Sequence, residues 1–335
     1  MKMFDFAQPA TLDEAIGAWE PGAAWLGGGT NLVDLMKTGA VQPAKLIDIS
    51  RLPGLAGIDE LDDGATRIGA LVRNADLAGD PAFAGRYPMV AEALLSGASG
   101  QLRNAATVAG NLMQYPRDAY FPGPEPDPMA DASSLSVLGA GGEPVTVHPS
   151  DFCVPLVALD AVVEILGPDG PREIALADLY QPGEPRTTLI PGELVTALRL
   201  PAAAAEFRAN CRYLKVRDRT SFAFAMASAA ASLRMDGPHI AEARLSLGAV
   251  APKPWRVAEA EALLKGQAPG ADLFARAADA AMAGAQPVGG NGWKIELARR
   301  TAARALAMAA AGTPADMPAL PASPFGNQTG DLAHV

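Results

Sequence analysis

Three consecutive glycines, Gly27, Gly28 and Gly29, stand between the apolar run AAWL and the amphipathic run LVDLMK, with Thr30 and Asn31 directly after them. Glycines leave backbone N–H groups unobstructed, and N–H groups ahead of a helix are suited to a phosphate. A dinucleotide fingerprint would need a further glycine at position 32, where the chain has Leu32, and no Gly-Lys-Ser or Gly-Lys-Thr occurs, which excludes a P-loop. Taken alone, the triplet equally describes a tight strand-to-helix turn that binds nothing. A second segment, RNAATVAGNL, brings small residues together with the donors of Thr107 and Asn111 around Gly110. Two such loops could clamp one dinucleotide diphosphate from opposite sides; ordinary turn capping by Thr107 and Asn111 is the competing account.

Other chemistry is poorly represented. The segment around Ser99 lacks the second glycine of a nucleophile elbow, with Gln101 in its place. His148, in HPSD, reads as a turn or capping residue, and Cys153 as packing on an apolar helix. His148, His239 and His334 are too scattered for a zinc site, and two cysteines, Cys153 and Cys211, make neither a four-thiolate site nor a disulfide framework.

The elements that must position the two loops can be read from pattern. Thr11 and Glu14 form a capping box for a short helix ending near Trp19. Residues 23–26 read as a buried strand, 31–37 as a helix closed by Gly39, and 45–50 as another strand. Together they make a small β-α-β-α-β lobe. Beyond Pro53, Asp62-Asp63-Gly64 marks a hairpin, 87–99 a helix, and 115–143 a long irregular insertion rich in proline and glycine. A short helix after Phe152, a strand over 161–166, a Pro-Asp-Gly turn, a return strand and a strand over 193–201 follow. The alanines at 202–205 read as a linker. RYLKVRDR, FAFAMASAAASLRM and IAEARLSLGAV suggest strands and a helix, with a hairpin tip at Asp236-Gly237-Pro238 and FAFAMASAAAS in the core. Residues 255–284 and 294–311 read as helical.

The chain has 335 residues, enough for two or three domains. Its formal net charge of −10 argues against a nucleic-acid or anionic-membrane surface. No apolar stretch is long enough to span a bilayer, and MKMFDFAQPATLDEA lacks a signal-peptide core. The expected location is cytoplasmic, or periplasmic if a partner carries the export signal.

Read together, several blocks resemble the FAD-binding medium subunits of the molybdenum hydroxylases, the xanthine dehydrogenase and carbon monoxide dehydrogenase group. They are LGGGTNLVDLMK, IGALVRNADL, RNAATVAGNLMQ, HPSDFCVPLVALDA, YLKVRDRTSFAFA and LGAVAPKPWRVAEAEALLKG. HPSD after a long loop is most similar to the subunits of aldehyde oxidoreductases and 4-hydroxybenzoyl-CoA reductases. The resemblance implies an α+β fold: a two-lobed FAD-binding domain of the vanillyl-alcohol-oxidase (PCMH) type, followed by a smaller α+β domain. The expected segments are 1–53 and 54–203 for the lobes, 204–312 for the C-terminal domain and 313–335 for an extended tail. It implies that Leu26, Gly27, Gly28, Gly29, Thr30, Asn31 and Leu32 bind FAD, the N–H groups from Gly27 to Asn31 with the Thr30 and Asn31 side chains holding the diphosphate, met from the second lobe by Thr107, Gly110 and Asn111. Asp151 would accept the flavin N3–H, Val195 would line the ring, and Lys215 would stand beside it as a cation that favours reduced flavin. The bland alternatives are a helix N-cap for Asp151 and a solvated strand residue for Lys215.

Two departures are visible. The usual second-loop glycine pair is Ala109-Gly110, tolerable where φ at Ala109 is negative. The Arg-Cys-x-Tyr-Phe context that holds a 4Fe–4S cluster in the most similar subunits reads Arg117-Asp118-Ala119-Tyr120-Phe121, which predicts no such cluster in this chain. The implied function is electron transfer. Electrons leave a molybdopterin cofactor on a large partner, pass 2Fe–2S centres on a small partner, reach this FAD and go on to NAD, a quinone or oxygen. A free-standing FAD-dependent oxidoreductase and a cofactor-poor assembly subunit are the rival readings.

Overall fold

The computed structural model describes residues 1–115, 134–143, 145–182 and 186–315. The expected cluster-free context at 117–121, and most of the expected tail, lie outside them.

The first lobe runs β1 (Asp5–Ala7), α1 (Leu12–Ala18), β2 (Ala23–Leu26), α2 (Leu32–Thr38) and β3 (Lys45–Asp48). Its strands form a parallel sheet in the order β1-β3-β2. Thr11 caps α1 through the Glu14 N–H, and the Glu14 carboxylate reaches back to the Ala10 N–H. Gly39, at φ +82°, closes α2 in the left-handed conformation that a side chain would penalise.

The second lobe adds β4 (Ile58–Glu60), β5 (Thr66–Gly69), helices α3 (Asn74–Gly79), α4 (Pro81–Arg86), α5 (Pro88–Ser96), α6 (Gly100–Arg103), α7 (Val108–Leu112) and α8 (Cys153–Ala158). It continues with β6 (Val162–Gly167), β7 (Gly170–Ala175), α9 (Leu176–Leu179) and β8 (Leu194–Leu200). The five strands order β4-β5-β8-β6-β7, all antiparallel. The main core draws on this sheet together with α5 and α8, around Ile68, Leu94, Phe152, Leu156, Val163 and Leu198.

The alanines at 202–205 are not a linker. They begin a 3-10 helix (Ala202–Phe207) that buries Ala204, Ala205 and Phe207 in the main core. Alanine lets this turn pack closely at little entropic cost. The next three segments contain no helix. They are β9 (Cys211–Val216), β10 (Ala227–Asp236) and β11 (His239–Gly248), which join β12 (Trp255–Arg256) in an antiparallel sheet. The alanine-rich β10 is a strand because it is buried on both faces: Ala230 meets the main core while Ala229 and Ala231 meet the C-terminal core. The helix expected over 255–284 is broken. It becomes β12, α10 (Ala258–Leu264) and α11 (Ala271–Ala281), with Gly266, Pro269 and Gly270 between the helices. The last helix is α12 (Trp293–Ala310), packed on β10 and α11 through Ala298, Ala302, Ala305 and Leu306.

Candidate functional site

The glycine loop turns from β2 into α2 and lies against the second lobe. A Cβ on Gly28 would stand 1.9 Å from the Ala105 carbonyl oxygen, and one on Gly27 would stand 3.2 Å from Thr107 Oγ1. Gly29 adopts φ +71°, a conformation only glycine takes without strain. The backbone N–H groups of Gly27, Gly28, Gly29, Thr30 and Asn31 donate to no acceptor among the described residues. Thr30 is half-buried, as are Leu26 and Leu32 at the loop's two ends. The Asn31 side chain accepts the Tyr115 N–H at 3.2 Å.

The facing loop is held by the block IGALVRN. The Val108 and Ala109 N–H groups donate to the Val72 and Ala70 carbonyls, and the Asn74 N–H donates to Ala106. Ala70 in turn donates to Thr196 on β8, which ties the loop to the sheet. Thr107 caps α7 by accepting the Gly110 N–H at 3.2 Å. Ala109 sits inside α7 and is absent from the residues with positive φ, so its methyl imposes no backbone strain.

From this loop a chain of polar contacts leads to the remaining expected residues. Asn111 Oδ1 accepts the Ser150 hydroxyl at 2.7 Å, and Asp151 is the next residue. Asp151 Oδ2 lies 2.7 Å from Lys215 Nζ, while Oδ1 accepts the Tyr213 hydroxyl at 2.6 Å. The Lys215 and Asp151 side chains are 3% and 9% exposed, a buried ion pair across 64 residues of sequence. Burial and the neighbouring carboxylate push the Tyr213 hydroxyl well above its ordinary pKa, so it stays a donor. Behind it, Glu92 on α5 holds Arg212 through both carboxylate oxygens and accepts the Tyr213 N–H at 2.8 Å.

The structure therefore brings together Gly27, Gly28, Thr107, Gly110, Asn111, Asp151 and Lys215. Asp151 is not a helix N-cap: α8 is entered through Ser150 Oγ, which accepts the Cys153 N–H. Lys215 is not solvated. Val195 lies on β8 in the main core at 3% exposure. Sequence reading missed Ser150, Tyr213 and Glu92. Tyr213 had a signal, since it precedes Lys215 by two on a strand and shares its face.

His148 and the cysteines serve the core. The His148 ring packs 4.3 Å from Tyr180, its Nε2 has no partner among the described residues, and burial pulls its pKa down to about 3. Cys153 and Cys211 are buried and burial pushes both thiols up to about 11, so neither offers a thiolate. An open hollow of about 630 Å3 beside Trp19, Trp25 and Ile190 contains none of the site residues.

Comparison with known families decides the assignment. The FAD binding domain in molybdopterin dehydrogenase matches residues 2–203, and the CO dehydrogenase flavoprotein C-terminal domain matches residues 212–312. The chain belongs to the FAD-binding subunits of the molybdenum hydroxylases. It is 42% identical over 330 residues to the aldehyde oxidoreductase FAD-binding subunit PaoB of Escherichia coli K12, covering 93% of this chain and 99% of that one. The carbon monoxide dehydrogenase medium chain of Hydrogenophaga pseudoflava is 30% identical over 90% of this chain and 96% of its own. Among solved structures, reconstituted CO dehydrogenase from Oligotropha carboxidovorans superposes with a TM-score of 0.77 at 28% identity, covering 93% and 99% of the two chains.

FAD is the cofactor of this FAD-binding subunit, and the residues present fit it. The loop supplies unpaired N–H donors where a diphosphate needs them, in a cradle that a Cβ at Gly28 would fill. Among the described residues no helix is long and apolar enough to cross a membrane.

Proposed function

We propose that this chain carries FAD with its diphosphate on the Gly27–Gly28–Gly29–Thr30–Asn31 loop, met by Thr107, Gly110 and Asn111. The flavin ring then points toward Asp151 and Lys215. The observation that carries this reading is the continuous bonded path from Asn111 through Ser150 to the Asp151–Lys215 pair. A single scaffold joining the glycine-loop side to the Asp151–Lys215 charges supports FAD lying along it. When bound, FAD supplies the exchange of electrons between iron–sulfur centres and a two-electron acceptor. The chain's own part is to bind, orient and electrostatically bias the cofactor. Thr107 and Asn111 fix the second loop, Ser150 fixes the entry to α8, and Tyr213 keeps Asp151 oriented.

The chain acts within a complex of a molybdopterin-cofactor large subunit and a 2Fe–2S small subunit. The long match to an aldehyde oxidoreductase subunit supports an aldehyde as the reducing substrate of that complex. The test is to express the chain with and without its expected partners, then measure bound flavin, molybdenum and iron. Aldehyde turnover is assayed with NAD, a quinone and oxygen in separate arms. FAD in the isolated chain, with turnover only in the complex, is the expected result. Turnover by the isolated chain would favour a free-standing oxidoreductase. A folded chain that never retains FAD would sink the proposal.

A further inference from the structure

Lys215 is not a free charge. Its ammonium lies 2.7 Å from the Asp151 carboxylate, in surroundings almost without solvent. Opposite unit charges that close carry no net charge, so their Coulomb terms largely offset each other beyond contact distance. The hydroxyl of Tyr213 adds a bond to Asp151 but no charge. Arg212 is likewise neutralised, held by both oxygens of Glu92. If Lys215 and Arg212 are both matched, positive potential at this end of the site needs another source.

Arg217 is that source. It follows Lys215 by two residues, so the alternation of an extended chain returns it to the side occupied by Tyr213 and Lys215. Its Nη1 donates to the Ser96 carbonyl at 2.8 Å, and Lys215 Nζ donates to the same oxygen at 3.2 Å. Ser96 ends α5, where unsatisfied carbonyls favour cations. Arg217 is half-buried and makes no ion pair among the described residues; the adjacent Asp218 is exposed. Arg103 stands on the other side, donating to the Gly97 carbonyl at 2.7 Å. Burial, together with the charge on Arg217, draws the Arg103 pKa down. Two cations thus share one carbonyl oxygen, and among the described residues the carboxylate bonded to them sits on Lys215.

We infer that Arg217, rather than the Asp151–Lys215 pair, sets the positive potential that favours reduced over oxidised flavin in this subunit. The inference rests on the FAD placement proposed above. It assigns Arg217 an electrostatic role, and gives the ion pair the task of shaping and sealing the site.

The test is the flavin midpoint potential of the FAD-loaded complex, read by spectroelectrochemistry without turnover. Arg217→Gln should shift the potential negative, weakening reduced relative to oxidised FAD roughly tenfold. Arg217→Glu, which inverts the charge, should shift it about twice as far, and Arg217→Lys should restore it. A potential that is indifferent to the Lys, Gln and Glu series at 217 overturns the inference. The underlying placement fails separately: in that case Gly28→Ala leaves FAD content unchanged.

Discussion

The contact between the glycine loop and residues 105–107 is made by leaving atoms out, whereas the contact between β9 and the end of α5 is made by burying charges. At the first, Gly28 lies so near the Ala105 carbonyl that no side chain fits, and the cost of any addition is steric. At the second, Asp151, Lys215, Tyr213, Glu92 and Arg212 satisfy one another, and the cost of any single removal is electrostatic. The two regions therefore tolerate different changes. A glycine contact forbids additions but is indifferent to charge, while a buried pair accepts joint neutralisation and resists the loss of one member.

The largest effect is expected where that resistance is broken. Lys215→Met leaves Asp151 buried with only the Tyr213 hydroxyl, and should cost about 3 kcal/mol or more of stability in urea titration. Adding Asp151→Asn should recover most of that loss; a double variant as unstable as the single one would show that the pair is not electrostatic in origin. Next comes Gly28→Ala, where the methyl must displace backbone at Ala105. A cost of about 1–3 kcal/mol and loss of most bound FAD are expected, while Gly27→Ala, facing only a threonine hydroxyl, should be milder. Equal flavin content in the two variants would remove the distinction.

A third test lies between the two regions, at His148 in the HPSD segment. Its pKa in the folded protein is about 3 because burial penalises the charged ring. The unfolded histidine takes its proton near 6.5. Between those values the unfolded state binds more protons, so stability falls as pH falls, by about 1.4 kcal/mol per unit. His148→Phe should therefore flatten the acid limb of stability between pH 6.5 and 5. An unchanged slope would place the acid sensitivity elsewhere. The smallest effect concerns Ala109. Because it is helical with negative φ, Ala109→Gly should cost only about 0.5–1 kcal/mol and leave FAD affinity as it was. Tighter FAD binding in that variant would mean that the methyl does hold the second loop away.

Much of this architecture is legible in the residues themselves. The first lobe could be read through its capping box at Thr11, the triplet before α2 and Gly39 after it. The hairpin at Asp62-Asp63-Gly64 and the strands flanking the Pro-Asp-Gly turn announce themselves by turn chemistry. Where reading failed, composition was ambiguous. Alanine is compatible with a linker, a helix or a strand buried on both faces, and the segments at 202–205 and 227–236 were decided by what packs on them.

Local signals in the residues carry the two small-residue loops, the caps and turns, and the block pattern of the family. A turn that needs φ above zero demands glycine wherever it occurs. The close approach of Gly28 to Ala105 and the matching of the charges belong to the fold. Asp151 and Lys215 are 64 residues apart, and Arg217 and Lys215 meet at a carbonyl more than a hundred residues earlier. Coulomb energy depends on distance in space and on exclusion of water, neither of which sequence separation encodes. Whether a lysine is a free cation or half of a neutral pair is therefore a property of the fold.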